Sequence, residues 1–192
     1  MKRIFLIHRW SGGPSDDWRP WLKAELDKLG HQVFAPEMPD TDLPVIEKWV
    51  RKLSEDVGTP DSDTYFVGHS IGCQAILRYL ETISTPVGGA VFVAGWFNLK
   101  NLESEGISAI AKPWIETPIS VESVKAVLPQ STLIISSNDP YGCLDENQKR
   151  FAELVTKTVV VRDAGHFTED DGFKTLPLAL EEILSVIEKH AA

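Results

Sequence analysis

The stretch Thr64-Tyr65-Phe66-Val67-Gly68-His69-Ser70-Ile71-Gly72-Cys73-Gln74-Ala75-Ile76 changes its hydrophobic period across a single turn. Its first part, Thr64–Gly68, is aromatic and β-branched and reads as a strand. From Ile71 to Ile83 the apolar residues Ala75, Ile76, Tyr79, Leu80 and Ile83 fall on one helical face. The same strand-to-helix unit repeats outward in both directions. Upstream lie a helical stripe in Pro44–Val57 closed by Gly58, a short strand at Gln32–Ala35, and a helix in Ser15–Gly30 with Pro20 near its start. Before them comes the apolar run Ile4–Ile7. Downstream, Gly89–Ala94, Leu133–Ser136 and Thr158–Val161 read as buried strands, and Ser120–Leu128, Asp145–Val155 and Leu176–Lys189 as helices. This alternation predicts an α/β fold: a three-layer αβα sandwich around a mostly parallel sheet of about six strands. The exception is Gly95–Pro129, where Trp96–Pro118 has no clean period and is expected to be an irregular insertion of the kind that forms lids.

At about 100–200 residues per domain, the 192 residues are expected to form one domain, 1–192. Apolar residues make up 43% and charged residues 24%, which excludes disordered, fibrous and coiled-coil chains. The formal net charge of −9 argues against nucleic-acid binding and against an anionic membrane surface, because both need a basic face. Cys73 and Cys143 form no disulfide framework or metal-spaced cluster and read as small buried hydrophobes. The apolar run near the N-terminus is too short for a signal peptide, and no stretch approaches the length of a membrane span. A cytoplasmic location is the expectation.

Gly68-His69-Ser70-Ile71-Gly72 matches G-x-S-x-G, in which a serine is held exposed on a strained strand-to-helix turn. The bland alternative is that Ser70 only caps the helix. A serine hydroxyl is a poor nucleophile unaided and needs a base, which in turn needs an orienting acid. Sites in parallel sheets gather beyond the carboxyl ends of the strands. His166 follows the strand Thr158–Val161 and is the expected base; His190 belongs to the C-terminal tail. Asp139 follows Leu133–Ser136 and is the expected acid. Its competitors are Asp145, which reads as a helix N-cap, and Asp163, only three residues from His166. An oxyanion would be met by the backbone N–H of Ile71, after the nucleophile, and by a second donor from the loop after the first strand. Trp10 is the expected second donor, with Arg9 next. His8 and His69 read as structural. The tryptophans, among them Trp10, Trp18, Trp21, Trp96 and Trp114, either wall an apolar pocket or pack the core. Arg9, Trp18, Trp96 and Trp114 are the candidate pocket residues.

Taken together, several short motifs resemble the small α/β-hydrolases of the retinoblastoma-binding protein nine and YdeN type, the serine hydrolase family. They are Ile7-His8, Asp17-Trp18 with Trp21-Leu22, Met38-Pro39-Asp40, Gly68-His69-Ser70-Ile71-Gly72-Cys73, Arg78-Tyr79, Pro113-Trp114, Asn138-Asp139-Pro140 and Gly165-His166-Phe167. The resemblance implies an α/β-hydrolase fold without a large cap domain, a triad at Ser70, Asp139 and His166, and an esterase-like or peptidase-like activity. The expected substrate is a small ester, thioester or amide; no metal or organic cofactor is expected, and no protein partner is specified. Arg9 stands where bacterial relatives tend to carry Gly, and could favour a carboxylate-bearing substrate. An L-x-C-x-E interaction motif is absent around both cysteines, so pocket-protein binding is not implied. The alternative function is a non-catalytic ligand- or protein-binding member of the same fold.

Overall fold

The computed structural model describes residues 1–102 and 104–191. Six strands form one parallel sheet: β1 (Arg3–Ile7), β2 (Gln32–Phe34), β3 (Thr64–His69), β4 (Gly89–Val93), β5 (Ser131–Ser136) and β6 (Lys157–Val161), in the order β2-β1-β3-β4-β5-β6. Among the described residues seven helices connect or flank them: α1 (Arg19–Lys28), α2 (Ile46–Val57), α3 (Ile71–Leu80), α4 (Glu105–Glu116), α5 (Val121–Val127), α6 (Leu144–Phe151) and α7 (Pro177–Ala191). The chain passes from β1 outward to β2, then returns through α2 to β3 on the other side of β1. That reversal of strand order opens a crevice at the carboxyl ends of the strands.

Side chains alternate across each strand, so one sheet builds two cores. Phe5, Ile7 and Phe66 pack with Trp49 and Leu53 of α2, Ile76 and Leu80 of α3, Val124 of α5 and Phe151 of α6. Ile4, Leu6, Tyr65 and Val67 face the other way, against Leu22 and Leu26 of α1 and Ile183 and Val186 of α7. These are the three layers that the sequence predicts. Truncating one such buried leucine to alanine is worth about 2–5 kcal/mol.

The structure departs from the sequence reading in four places. Residues 15–18 are turns, and the first helix begins at Arg19. The run read as the buried strand Thr158–Val161 is an edge strand with Val160 exposed. Asp145 is not a cap, since Cys143 holds that position and Asp145 lies in the first turn of α6. Within the supposedly irregular Trp96–Pro118, α4 is a regular helix whose cap Ser104 accepts a hydrogen bond from the Ile107 N–H at 3.2 Å.

Candidate active site

Ser70 lies at the carboxyl end of β3 with φ 54° and ψ −119°, a conformation that non-glycine residues rarely adopt. Two hydrogen bonds fix the turn: the Ser70 N–H donates to the Val93 carbonyl and the Cys73 N–H to the Ser70 carbonyl, both at 2.9 Å. Both flanking glycines are required by close approach. A Cβ on Gly72 would lie 2.5 Å from the Ile7 carbonyl oxygen, and one on Gly68 would lie 2.7 Å from Ile76 Cδ1. The Ser70 side chain makes no capping hydrogen bond. A capping role therefore does not account for the serine, while sustained strain of about 1–3 kcal/mol at one residue is a property of functional turns.

The acid and base loops are built from β5 and β6. Asp139 follows β5, and its Oδ1 accepts the N–H groups of Tyr141 at 2.9 Å and Gly142 at 3.1 Å. Its Oδ2 is thereby presented to His166 Nδ1 at 2.8 Å. A carboxylate bound to Nδ1 leaves Nε2 as the ring nitrogen free for other chemistry. Asn138 ties the two loops together: its Oδ1 accepts the Gly165 N–H at 2.8 Å and the Ser136 hydroxyl at 2.8 Å. The His166 N–H is held by Asp171 Oδ2 at 2.8 Å. Burial by itself would raise the Asp171 carboxyl, but hydrogen bonds from the Thr168 hydroxyl and from the Thr168 and His166 N–H groups bring it below its ordinary value.

A second network lies beneath the site. His69 Nδ1 meets Arg19 Nη1 at 3.1 Å, and a guanidinium can only donate, so Nδ1 is the acceptor. Nε2–H then donates to the His166 carbonyl at 2.8 Å. Burial, followed by the nearby His166 and Arg19, pushes His69 well below its ordinary value and keeps it neutral. Arg19 is itself buried and pairs with Asp17 Oδ2 at 3.1 Å; the same oxygen accepts Arg9 Nε at 3.0 Å. Asp17 Oδ1 accepts the Glu169 N–H at 2.9 Å. One buried carboxylate thus joins the loop after β1 to the loop that carries His166. His8 is pinned as well, with Nδ1–H on the Arg9 carbonyl at 2.7 Å and Nε2 accepting the Met38 N–H at 3.0 Å.

Ser70 and His166 line one cavity of about 520 Å³. Arg9, Trp10 and Trp96 line it too, together with Leu99, Ile107 and Ile110 on the insertion and Tyr141 beside the acid turn. The backbone N–H groups of Trp10 and Ile71 meet no hydrogen-bond acceptor among the described residues. Two expected pocket residues belong elsewhere. Trp18 is fully buried at the N-cap of α1, its indole N–H donating to the Phe167 carbonyl at 3.1 Å. Trp114 packs edge-on against Trp49 and donates to the Pro44 carbonyl at 3.0 Å. Both serve the core because their large apolar rings are consumed by packing between elements. The sequence reading missed Tyr141, whose ring meets the His166 ring edge-on with centroids 5.3 Å apart; its place two residues after Asp139 was the available signal. It also missed Ile107 and Ile110, whose signal was the spacing of α4. Among the described residues no group of three or more His, Cys, Asp or Glu is placed to hold a metal ion. Among the described residues no helix is long and apolar enough to cross a membrane.

A family model described as serine hydrolase matches residues 4–185. The chain belongs to the serine hydrolase family and is an enzyme of the α/β-hydrolase fold. It is 29% identical over 192 residues to the hydrolase YdeN of Bacillus subtilis (strain 168), covering 98% of each chain. The crystal structure of the B. subtilis ydeN gene product matches with a TM-score of 0.88 at 27% identity, covering 98% of this chain and 100% of that one. The serine hydrolase RBBP9 of Rattus norvegicus is 28% identical over 152 residues, 78% of this chain and 77% of that protein.

Proposed function

We propose that the protein hydrolyses small carboxylic esters, thioesters or amides through an acyl-enzyme on Ser70. The observation that carries this reading is the 2.8 Å pairing of Asp139 with His166, which lines the same cavity as a strained Ser70 whose side chain makes no capping bond. In this mechanism His166 Nε2 takes the Ser70 proton as Oγ attacks the substrate carbonyl, then returns it to the leaving group. Asp139 holds the Nδ1–H tautomer and stabilises the imidazolium. The N–H groups of Ile71 and Trp10 meet the oxyanion, where preorganised donors are worth about 3–4 kcal/mol each. Water activated by His166 then releases the acid. Leu99, Ile107, Ile110 and Trp96 form the apolar wall suited to an acyl chain. The whole chain, 1–192, acts as one domain.

A fluorophosphonate probe tests the nucleophile. Labelling is expected for the wild type, is expected to vanish in Ser70→Ala and to fall at least about a hundredfold in His166→Ala. A folded wild type that is never labelled contradicts the proposal. Arg9 contributes a cation to the same cavity while anchored to Asp17, so it is expected to favour substrates bearing a carboxylate. Arg9→Ala should lower the rate on a carboxylate-bearing ester relative to its neutral counterpart; an unchanged ratio removes that role.

A further inference from the structure

The hydroxyl of Ser70 has a buried hydrogen-bond donor beside it. The indole Nε1 of Trp96 donates to Ser70 Oγ at 3.3 Å. Trp96 stands just beyond β4, is almost completely buried, and is held from behind. Its carbonyl accepts the Gln74 amide from α3, and the next two backbone N–H groups, of Phe97 and Asn98, both donate to the buried Asn147 Oδ1 at 2.8 and 2.9 Å. The indole is therefore a preorganised donor. It lies on the β4 side of Ser70, whereas the Trp10 loop lies on the β1 side, because β3 runs between those two strands. Its partner is thus the serine oxygen and not the carbonyl oxygen of a substrate held between Ile71 and Trp10.

We infer that Trp96 is a catalytic residue that assists departure of Ser70 Oγ when the acyl-enzyme breaks down; this deepens the Ser70 mechanism proposed above and rests on it. An indole N–H donates and cannot accept, so it leaves the serine proton free for His166. In the acyl-enzyme, Oγ is an ester oxygen whose lone pair is drawn into the carbonyl, and it accepts hydrogen bonds poorly. Water, deprotonated by His166, adds to that carbonyl. The tetrahedral intermediate then collapses: the C–Oγ bond breaks, its electron pair passes to Oγ, and the proton on His166 Nε2 follows. Negative charge grows on Oγ in this step, so the Trp96 bond strengthens from ground state to transition state, which is the condition for acceleration. In acylation the free hydroxyl already accepts the same bond, so the gain is small.

The test separates the two half-reactions with p-nitrophenyl butyrate, for which kcat/KM reports acylation and kcat reports deacylation. For Trp96→Phe, kcat and KM are expected to fall together by about tenfold, as for loss of one bond to a charged oxygen, with kcat/KM held within about twofold. Acyl-enzyme should then accumulate, seen as a p-nitrophenolate burst near one equivalent and as a mass adduct on the intact protein. A parallel loss of kcat and kcat/KM, or no change in either, overturns the role. Replacing Trp96 by 3-benzothienylalanine, in which sulfur stands for the ring N–H, repeats the test with packing preserved, and the same outcomes apply if Trp96→Phe does not fold. A wild type that neither bursts nor labels with fluorophosphonate defeats the Ser70 mechanism itself, which is distinguishable from normal wild-type turnover with an unaltered variant.

Discussion

Asp17 has φ 55°, a conformation open to Asp and Asn but costly for most other side chains. It is also a buried anion shared by two arginines, Arg9 and Arg19. Asp17→Asn keeps the backbone preference and removes only the charge, leaving the Arg19 guanidinium buried without a counter-ion. Such a loss is expected to cost about 3 kcal/mol or more. Urea unfolding should show a clear fall in midpoint at unchanged slope; a loss of unfolding free energy below about 0.5 kcal/mol would mean that the carbonyl of Gly13, which also accepts from Arg19, suffices. The sequence offered Asp17 only as part of a resemblance motif. Its partners lie at residues 9, 19 and 169, and nothing in a local pattern joins those positions.

Among the elements, α3 and α4 differ in how plainly they can be read. In α3 the apolar residues Ala75, Ile76, Tyr79 and Leu80 keep helical spacing with no proline among them, so the period stands out although every residue from Ile71 to Leu80 is buried. In α4 the apolar positions Ile107, Ala111 and Trp114 do follow helical spacing, and Ser104 is a good cap. Pro113 masks this pattern, since an interior proline removes one N–H and crowds the turn before it. It is tolerated here in the last turn, only four residues before Thr117. Packing closes the case: Trp114 lies edge-on against Trp49 of α2 and beside the Arg78 guanidinium of α3, and Arg78 Nη2 donates to the Trp114 and Thr117 carbonyls at 2.9 and 2.8 Å, satisfying the end of the helix. With its last turn anchored, α4 presents Ile107 and Ile110 to the cavity.

At the scale of the whole molecule, the buried histidines set the response to acid. Burial pushes His8 below its ordinary value of 6.5 and His69 well below it; His8 is held as a neutral tautomer between two backbone groups, and His69 between the Arg19 guanidinium and the His166 carbonyl. The unfolded chain takes up these protons near the ordinary value while the folded chain does not. Stability is therefore full above about pH 6.5 and declines below it, by about 1.4 kcal/mol per pH unit for each histidine until its folded value is reached. Urea midpoints should hold from about pH 7.5 to about pH 6.5 and fall from there to about pH 5.5; a flat profile throughout would mean that neither imidazole is held neutral. Asp171 acts in a separate window: its lowered carboxyl adds stability above the ordinary carboxylate value, lost only as the pH falls through the lower one. Order and type of the strands, and of the helices apart from α4, and the turn at Ser70 were readable from the chain, because hydrophobic period and glycine spacing are local. Asp139 and His166, picked for their places just past strand ends, lie 2.8 Å apart. Which tryptophans face the cavity was not readable. Trp96 reaches Ser70, whereas Trp18 and Trp114 are consumed in the two cores, and that division depends on surfaces brought together across as many as 149 residues. The large rings are chemically alike in the sequence, and only packing determines which of them is left facing open space.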